Sequence, residues 1–82
     1  MDVRDNAERG RYELLDDDEV IGFADYVLDG KTLTIPYVEI DARLQGNGYG
    51  SVLAAGVLED AHTRNLDVVP HCSFMAWYMR RA

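Results

Sequence analysis

One long stretch of this sequence has helical periodicity, and two stretches typical of strands flank it. From Gly48 to Asn65, apolar residues recur every three or four positions, with polar residues on the other side. Thr32 to Ile40 precedes this stretch, and Leu66 to Val69 follows it as a short apolar run bounded by Pro70. Two strands of one sheet that are joined through a helix run parallel to each other. The pattern therefore predicts a strand–helix–strand unit with parallel outer strands.

Further strands are predicted before this unit. Arg11 to Leu15 and Val20 to Leu28 carry the aromatic and β-branched residues that strands prefer. The four residues from Asp16 to Glu19 suit a hairpin connection between them. Asp29-Gly30 then supplies the positive φ angles of a type I′ turn, which leads into the strand from Thr32 to Ile40. We expect three consecutive antiparallel strands.

The two ends of the chain complete the predicted fold. Met1 to Gly10 is polar and charged, so we expect a frayed lead-in. Ser73 to Arg81 has an N-cap candidate in Ser73, aromatic residues three and four positions apart, and basic residues at its end, which together predict a short helix. The hydrophobic fraction of 48% is enough for one core. Residues 1–82 are thus predicted to form a single α/β (α+β) domain with a small mixed sheet in the order β-β-β-α-β-α.

Composition narrows the classes of function. Eight Lys and Arg residues against fifteen Asp and Glu residues give a net charge of −7, which repels phosphate backbones and argues against a nucleic-acid partner. Cys72 is the single cysteine and cannot form an internal disulfide, and no apolar stretch suits a membrane span or signal peptide, so we expect a cytoplasmic protein. His62, His71 and Cys72 offer too few convergent ligands, so we expect no metal.

A glycine-rich segment between the third strand and the long helix is the first candidate for binding chemistry. Glycines at alternate positions let backbone N–H groups converge on an anion, and the positive end of the helix dipole points to the same place. A plain glycine-rich turn explains the same spacing. The segment fits neither the P-loop nor the dinucleotide fingerprint, which disfavours ATP and NAD. The candidate residues are Arg43, Leu44, Gln45, Gly46, Asn47, Gly48, Tyr49, Gly50 and Ser51.

The order Arg43-x-x-Gly46-x-Gly48 resembles the coenzyme A pyrophosphate loop of the GCN5-related N-acetyltransferase superfamily. Other segments occur in the order typical of one small subgroup, the minimal single-domain acetyltransferase-like proteins. These segments are Gly10–Leu14, Ala24–Tyr26, Val38–Ile40 and Val68–Phe74, together with Tyr78. The resemblance covers nearly the whole chain from Gly10 onward.

This resemblance implies that acetyl-CoA is the cosubstrate and that its pantetheine arm lies where two parallel strands part. The two strands would be Pro36–Ile40 and Leu66–Val69, with backbone groups of the first, at Val38 and Ile40, bonding to the arm. Pro36 points to the same place on independent grounds, because proline cannot donate a ladder hydrogen bond. We expect either a bulge there or a point at which two strands part.

The resemblance also implies catalytic roles, each with a plainer alternative. Glu39 resembles the strand glutamate that acts as general base, but it could be an exposed strand residue or the partner of an arginine; an N–H near Ile40 would polarise the thioester carbonyl. Tyr78 resembles the tyrosine that protonates the departing sulfur, but it could simply pack against Phe74. Cys72 could carry the acyl group or lie near the coenzyme sulfur, but a lone cysteine more often behaves as a small buried hydrophobe.

Departures from the family leave several functions open. Only Asp16 to Glu19 connects the first strands, where full-sized members have one or two helices, so we expect an open acceptor site. Tyr37-Val38 stands where the subgroup has His-Thr. The leading hypothesis is an acetyl-CoA-dependent N-acetyltransferase that acts on a primary amine, such as a protein lysine or N-terminus, by direct transfer in a ternary complex. The alternatives are a non-catalytic acyl-CoA-binding or regulatory module and a pure interaction domain, and a monomer and a homodimer are both compatible with the sequence.

Overall fold

The computed structural model describes residues 1–81, which form a five-stranded mixed sheet with two α-helices. The strands are β1 (Asp2–Asn6), β2 (Arg11–Asp16), β3 (Glu19–Asp29), β4 (Thr32–Ile40) and β5 (Asp67–Pro70), the helices are α1 (Tyr49–Thr63) and α2 (Ser73–Arg81), and 3-10 turns lie at Ala7–Arg9 and Ala42–Leu44. The strands stand in chain order, with β1 to β4 antiparallel to their neighbours and β5 parallel to β4. The predicted mixed sheet and its parallel pair are confirmed.

The first ten residues contain a strand that the sequence analysis missed. The expectation of a frayed lead-in is wrong, because β1 pairs with β2 from Asp2 to Asn6. Val3 is the one apolar residue of this strand, and it packs so closely on α1 that a Cβ added to Gly56 would lie 2.4 Å from its Cγ2 atom. The other residues are polar because an edge strand keeps much of its surface in water. The element order is therefore β-β-β-β-α-β-α.

A polar cluster, here called the Asp5 cluster, ties β1 to the rest of the fold. Asp5 accepts a hydrogen bond from the Tyr26 hydroxyl at 2.7 Å and an ion pair from Arg64 at 3.2 Å. Arg64 also pairs with Asp60 at 3.1 Å, and Asp60 accepts from the buried Tyr12 hydroxyl at 2.6 Å. Burial and the neighbouring Asp5 carboxylate raise the pKa of Tyr26 to about 12. The cluster thus links three strands to the last turn of α1.

Both hairpin turns differ from the prediction, the first in length and the second in position. Asp17-Asp18 alone connects β2 to β3, and Asp17 adopts a φ of 55°. The β3–β4 turn is centred on Gly30-Lys31, one residue later than the predicted Asp29-Gly30, because Asp29 is still paired in the ladder. Gly30 supplies the positive φ, 61°, that a short hairpin turn needs.

The sheet has a covered face and an open face. α1 lies on the covered face and buries the apolar side of its own helix there, beside the fully buried Met75 of α2. The sheet contributes six buried side chains to this core: Tyr12, Leu14, Ile21, Ala24, Leu33 and Ile35. Residues directly opposite each other on neighbouring strands point to the same face of the sheet. The strand register therefore places a second set of side chains together on the face opposite to the core. This open face of β2 to β4 carries Arg11, Glu13, Phe23, Tyr37 and Glu39.

Candidate functional site

Strand β4 loses its parallel partner at Pro36. Up to Ile35, β4 pairs with β5, and the last bond runs from the His71 N–H to the Ile35 carbonyl oxygen at 3.0 Å. On the other side of β4, Ile35 and Pro36 together lie opposite Tyr26, which is a β-bulge. Proline lacks the N–H that would continue the ladder. The predicted bulge and the predicted parting of strands are therefore both present.

Beyond Pro36, one edge of β4 has no neighbouring strand. The Asp41 N–H donates to the Ile21 carbonyl oxygen of β3 at 2.8 Å. Because backbone groups alternate along a strand, the N–H groups of Val38 and Ile40 point the opposite way, towards the gap left by β5. The Ile40 carbonyl oxygen already accepts a bond on this side, from the Gln45 side chain at 3.1 Å. The two backbone positions implied by the family resemblance thus lie along this free edge.

The glycine loop closes one end of the gap and leads into α1. Gly46 and Gly48 have φ angles of 87° and 79°, and a Cβ added at either would meet nothing within 4 Å. Gly48 is the N-cap residue of α1 and offers no side-chain bond to the first turn. Asn47 instead bonds within the loop, from its side-chain amide to the Leu44 carbonyl oxygen at 2.9 Å. The N–H groups of the first turn are therefore available to an anion at the positive end of the helix dipole.

A cleft of about 260 Å³ lies between the glycine loop and α2. Seven of the predicted loop and edge residues line it: Ile40, Leu44, Gln45, Gly46, Gly48, Gly50 and Ser51. A smaller recess of about 190 Å³ continues towards Val38. Two aromatic residues of α2, Phe74 and Trp77, form the opposite wall. The Phe74 ring lies so near to α1 that a Cβ added to Gly50 would be 3.0 Å from it.

Three of the predicted loop residues do not line this cleft. Arg43 is exposed and forms an ion pair with Asp41 at 2.7 Å, with Glu19 3.5 Å from the same nitrogen. Hydrogen bonds from Arg43 lower the pKa of Asp41 to about 2. Tyr49 packs partly against the core, and the Asn47 side chain forms its hydrogen bond within the loop. The Arg43 side chain therefore braces the start of the loop from outside.

Glu39 lies on the open face, on the other side of β4 from the cleft. It accepts a hydrogen bond from the Tyr37 hydroxyl at 2.5 Å, and this bond raises the pKa of Tyr37. Glu39 and Asp41 line a groove of about 420 Å³ together with Phe23 and Arg11. Alternation along β4 thus sends odd-numbered side chains into this groove, while the neighbouring even-numbered residues line the cleft.

Arg11 is held in place at the far side of this groove. Its Nε atom lies 3.0 Å from the Glu13 carboxylate, and its guanidinium stacks 4.5 Å from the centre of the Phe23 ring. Glu13 is only 3% exposed. Burial alone would raise the pKa of Glu13, but the hydrogen bond from Arg11 holds it below its usual value. The charge of Arg11 is therefore already balanced, which leaves Glu39 as the more accessible charge in the groove.

Tyr78 and Cys72 lie outside the lining of both cavities. The Tyr78 ring stacks on Phe74 with 6.4 Å between ring centres, in line with the packing alternative. The Cys72 sulfur accepts the Met75 N–H at 3.4 Å and so caps α2, which makes the prediction of Ser73 as N-cap wrong. Phe74 and Trp77 line the cleft although they were not predicted as site residues. The available signal was their spacing on a helix that directly follows the parting strand.

Within residues 1–81, no group of three or more His, Cys, Asp or Glu side chains is placed to hold a metal ion. In the same part of the chain, no helix is long and apolar enough to cross a membrane.

Comparisons with known proteins agree with this geometry. Residues 11–82 match the family model described as GCN5-related N-acetyl-transferase. No curated protein gives a significant match. Among solved structures, the chain is similar to the solution structure of a GCN5-like candidate N-acetyltransferase from Staphylococcus aureus, with a TM-score of 0.72 and 21% identity over 98% of this chain and 78% of that one. At this identity the structural match supports the fold, and the family model supports the assignment.

Proposed function

Because the chain belongs to the GCN5-related N-acetyltransferase family, we propose that it transfers an acetyl group from acetyl-CoA to a primary amine, such as a lysine side chain or a protein N-terminus. The observation that carries this proposal is the free edge of β4 beyond Pro36. That edge opens into the cleft beside the glycine loop, and the same strand presents Glu39 to the groove on its other side.

The residues around the cleft suit a molecule with the chemistry of coenzyme A. The loop N–H groups and the first turn of α1, which lacks a side-chain cap, would bind the pyrophosphate. The Ile40 N–H, next to the loop, would pair with an amide of the pantetheine arm as a neighbouring strand would. Phe74 and Trp77 supply an apolar wall, and Trp77 is 43% exposed in the free protein. When bound, the cosubstrate supplies an acetyl group activated as a thioester.

Glu39 is the group best placed to activate the amine. An amine attacks only when it is neutral, so a base must accept its proton, directly or through a water molecule. The Glu39 carboxylate faces the open groove, although it must exchange its bond with the Tyr37 hydroxyl for one with the incoming amine. The Val38 N–H, on the same edge and farther from the loop than Ile40, would donate to the thioester carbonyl oxygen as negative charge develops on it. A thiol with a pKa of about 8.5 leaves with modest help, so Tyr78 need only assist.

The arrangement of β4 favours direct transfer over a carrier mechanism. Cleft and groove lie on opposite sides of one strand, so both substrates could be bound together with only the strand edge between them. Cys72 would be the acyl carrier in the other mechanism. Its sulfur instead caps α2.

A non-catalytic coenzyme A-binding module is the second candidate. Two observations favour it, because the Tyr37 hydroxyl already binds the Glu39 carboxylate and Tyr78 does not line the cleft. Such a module would bind acetyl-CoA through the same loop and edge but would transfer nothing. Binding and turnover must therefore be measured separately.

Calorimetric titration tests the binding half of the proposal. We expect acetyl-CoA and coenzyme A to bind and adenosine diphosphate to bind far more weakly, because it lacks the pantetheine arm. Gly48→Val should abolish binding, while Gly30→Val should not. The two glycines are matched, since both have positive φ and open space around the missing Cβ, but Gly30 lies in the β3–β4 turn. Equal binding by both variants would refute the loop assignment.

An acetyl-transfer assay with a panel of primary amines tests the other half. Glu39→Gln should retain coenzyme A affinity and lose roughly 10²-fold or more in rate, as expected when a general base is removed. Asp29→Asn, an exposed carboxylate at the end of β3, is the control. Binding without transfer to any amine would favour the non-catalytic module.

A further inference from the structure

β1 is one of the two outer strands of the sheet, and its free edge adjoins a trough. β1 is the first strand in the sheet order and pairs on one side only. Between this edge and α1 runs a trough of about 460 Å³ lined by Met1, Val3, Val52 and Ala55, among others. Met1 and Val52 are large apolar side chains that are 53% and 42% exposed. An unpaired edge beside apolar side chains is a place where another strand can add to the sheet.

We propose that β1 of a second copy of this chain occupies this edge, antiparallel to the first, so that two sheets join about a two-fold axis at Val3. The two-fold axis puts equivalent faces of both sheets on the same side, and two residues that pair across the axis must point to the same face. Side chains alternate along a strand, so the numbers of two paired residues are either both odd or both even. For a strand of five residues this leaves five registers, one centred on each residue from Asp2 to Asn6.

Charge and overlap select one register of the five. A register centred on Asp2, Arg4 or Asp5 places two like charges opposite each other, and one centred on Asn6 overlaps the two strands at that residue alone. The register centred on Val3 instead sets Asp2 of each copy opposite Arg4 of the other. It also brings the two Val3 side chains together on the face that carries the trough. The strand is therefore complementary to itself in this register alone.

Asp2 and Arg4 have no ion-pair partner of their own within residues 1–81, and both are exposed. Asp5, by contrast, is already bound by Tyr26 and Arg64. The two charges that the dimer would use thus form no ion pair within one copy, although Arg4 lies opposite Glu13 on β2. Across the sheet, β2 and β3 separate β1 from β4, so pairing at β1 leaves the cleft open. This proposal does not depend on the proposed function.

Analytical ultracentrifugation over a concentration series tests the proposal with charge reversals. We expect the unaltered chain to be in monomer–dimer equilibrium. Asp2→Arg alone and Arg4→Glu alone should each raise the dimer dissociation constant roughly tenfold or more, because two facing pairs become repulsive. Asp2→Arg and Arg4→Glu in one chain restore opposite charges and should restore the dimer. Mixing the two single variants should give a heterodimer, and Lys31→Glu, in the distant β3–β4 turn, should change nothing.

The double variant shows whether repulsion within a single copy, and not between two copies, causes the loss of the dimer. Arg4 lies opposite Glu13 on β2, so Arg4→Glu also brings two carboxylates together within one copy. That effect persists in the double variant, and a restored dimer therefore cannot be a consequence of it. A chain that stays monomeric at all concentrations would overturn the proposal. So would a dimer that is indifferent to both reversals, since it would use another surface.

Discussion

Replacing Gly56 with alanine sets two effects of opposite sign against each other and so tests whether β1 is part of the folded domain. Within a helix, alanine is more favourable than glycine by about 1 kcal/mol. The added Cβ, however, would lie 2.4 Å from Val3 Cγ2 and 2.5 Å from Val3 Cβ, so β1 must move away from α1. Overpacking of this kind costs about 1–3 kcal/mol, and the movement also disturbs the Asp5 cluster. We expect Gly56→Ala to lower the free energy of unfolding by up to about 2 kcal/mol.

Urea unfolding followed by circular dichroism measures this change, and a fall in melting temperature of up to about 15 °C should accompany it. Val3→Gly provides the matched background, because it removes the atoms that clash. In that background Gly56→Ala should stabilise the protein by about 1 kcal/mol, as helix propensity alone requires. If Gly56→Ala stabilised the unaltered chain by that amount, residues 2–6 would not pack on α1 and the corrected fold would be refuted.

Three further changes test the site and the polar clusters. Tyr37→Phe should release the Glu39 carboxylate and raise the acetyl-transfer rate, and an unchanged rate in steady-state assays would argue against Glu39 as the base. Tyr12→Phe removes a 2.6 Å bond to the Asp60 carboxylate and should lower the free energy of unfolding by about 1.5–3 kcal/mol; a loss below about 0.5 kcal/mol, the level of ordinary surface changes, would contradict this. The pKa of Asp41 is lowered from 3.8 to about 2, so its stabilising effect is present above pH 3.8 and is lost as pH falls towards 2. Asp41→Asn should therefore flatten the fall of the urea midpoint between pH 4 and pH 2, and an unchanged acid limb would show that this carboxylate is not stabilised by folding.

The central part of the fold could be predicted because its signals are local. The periodicity of α1 and the apolar stretch of β5 depend on residues close in sequence, and both elements lie where predicted to within two residues. Pro36 also carried a local signal, since a missing N–H interrupts pairing whatever the surroundings. The bulge and the parting strands follow from that one residue.

The remainder depends on contacts between residues far apart in sequence. β1 has a polar pattern and is held by Val3 against Gly56 and by Asp5 against Arg64, which no short window of sequence records. Phe74 was expected to pack within its own helix, but its position across from Gly50 places it in the wall of the cleft. Secondary-structure propensity carries no information about these tertiary contacts. The sequence therefore predicted too few strands in the sheet and too few residues in the lining of the cleft.

Residue-resolved binding of acetyl-CoA is the measurement that tests the central claim most directly. In nitrogen–proton correlation spectra recorded during a titration, the backbone amides of Val38, Ile40 and the glycine loop should shift, together with the Trp77 indole N–H. Amides of β1, at the opposite edge of the sheet, should stay in place. An absence of shifts, or shifts confined to residues outside the cleft, would contradict the claim that the free edge of β4 and the glycine loop form the coenzyme A site.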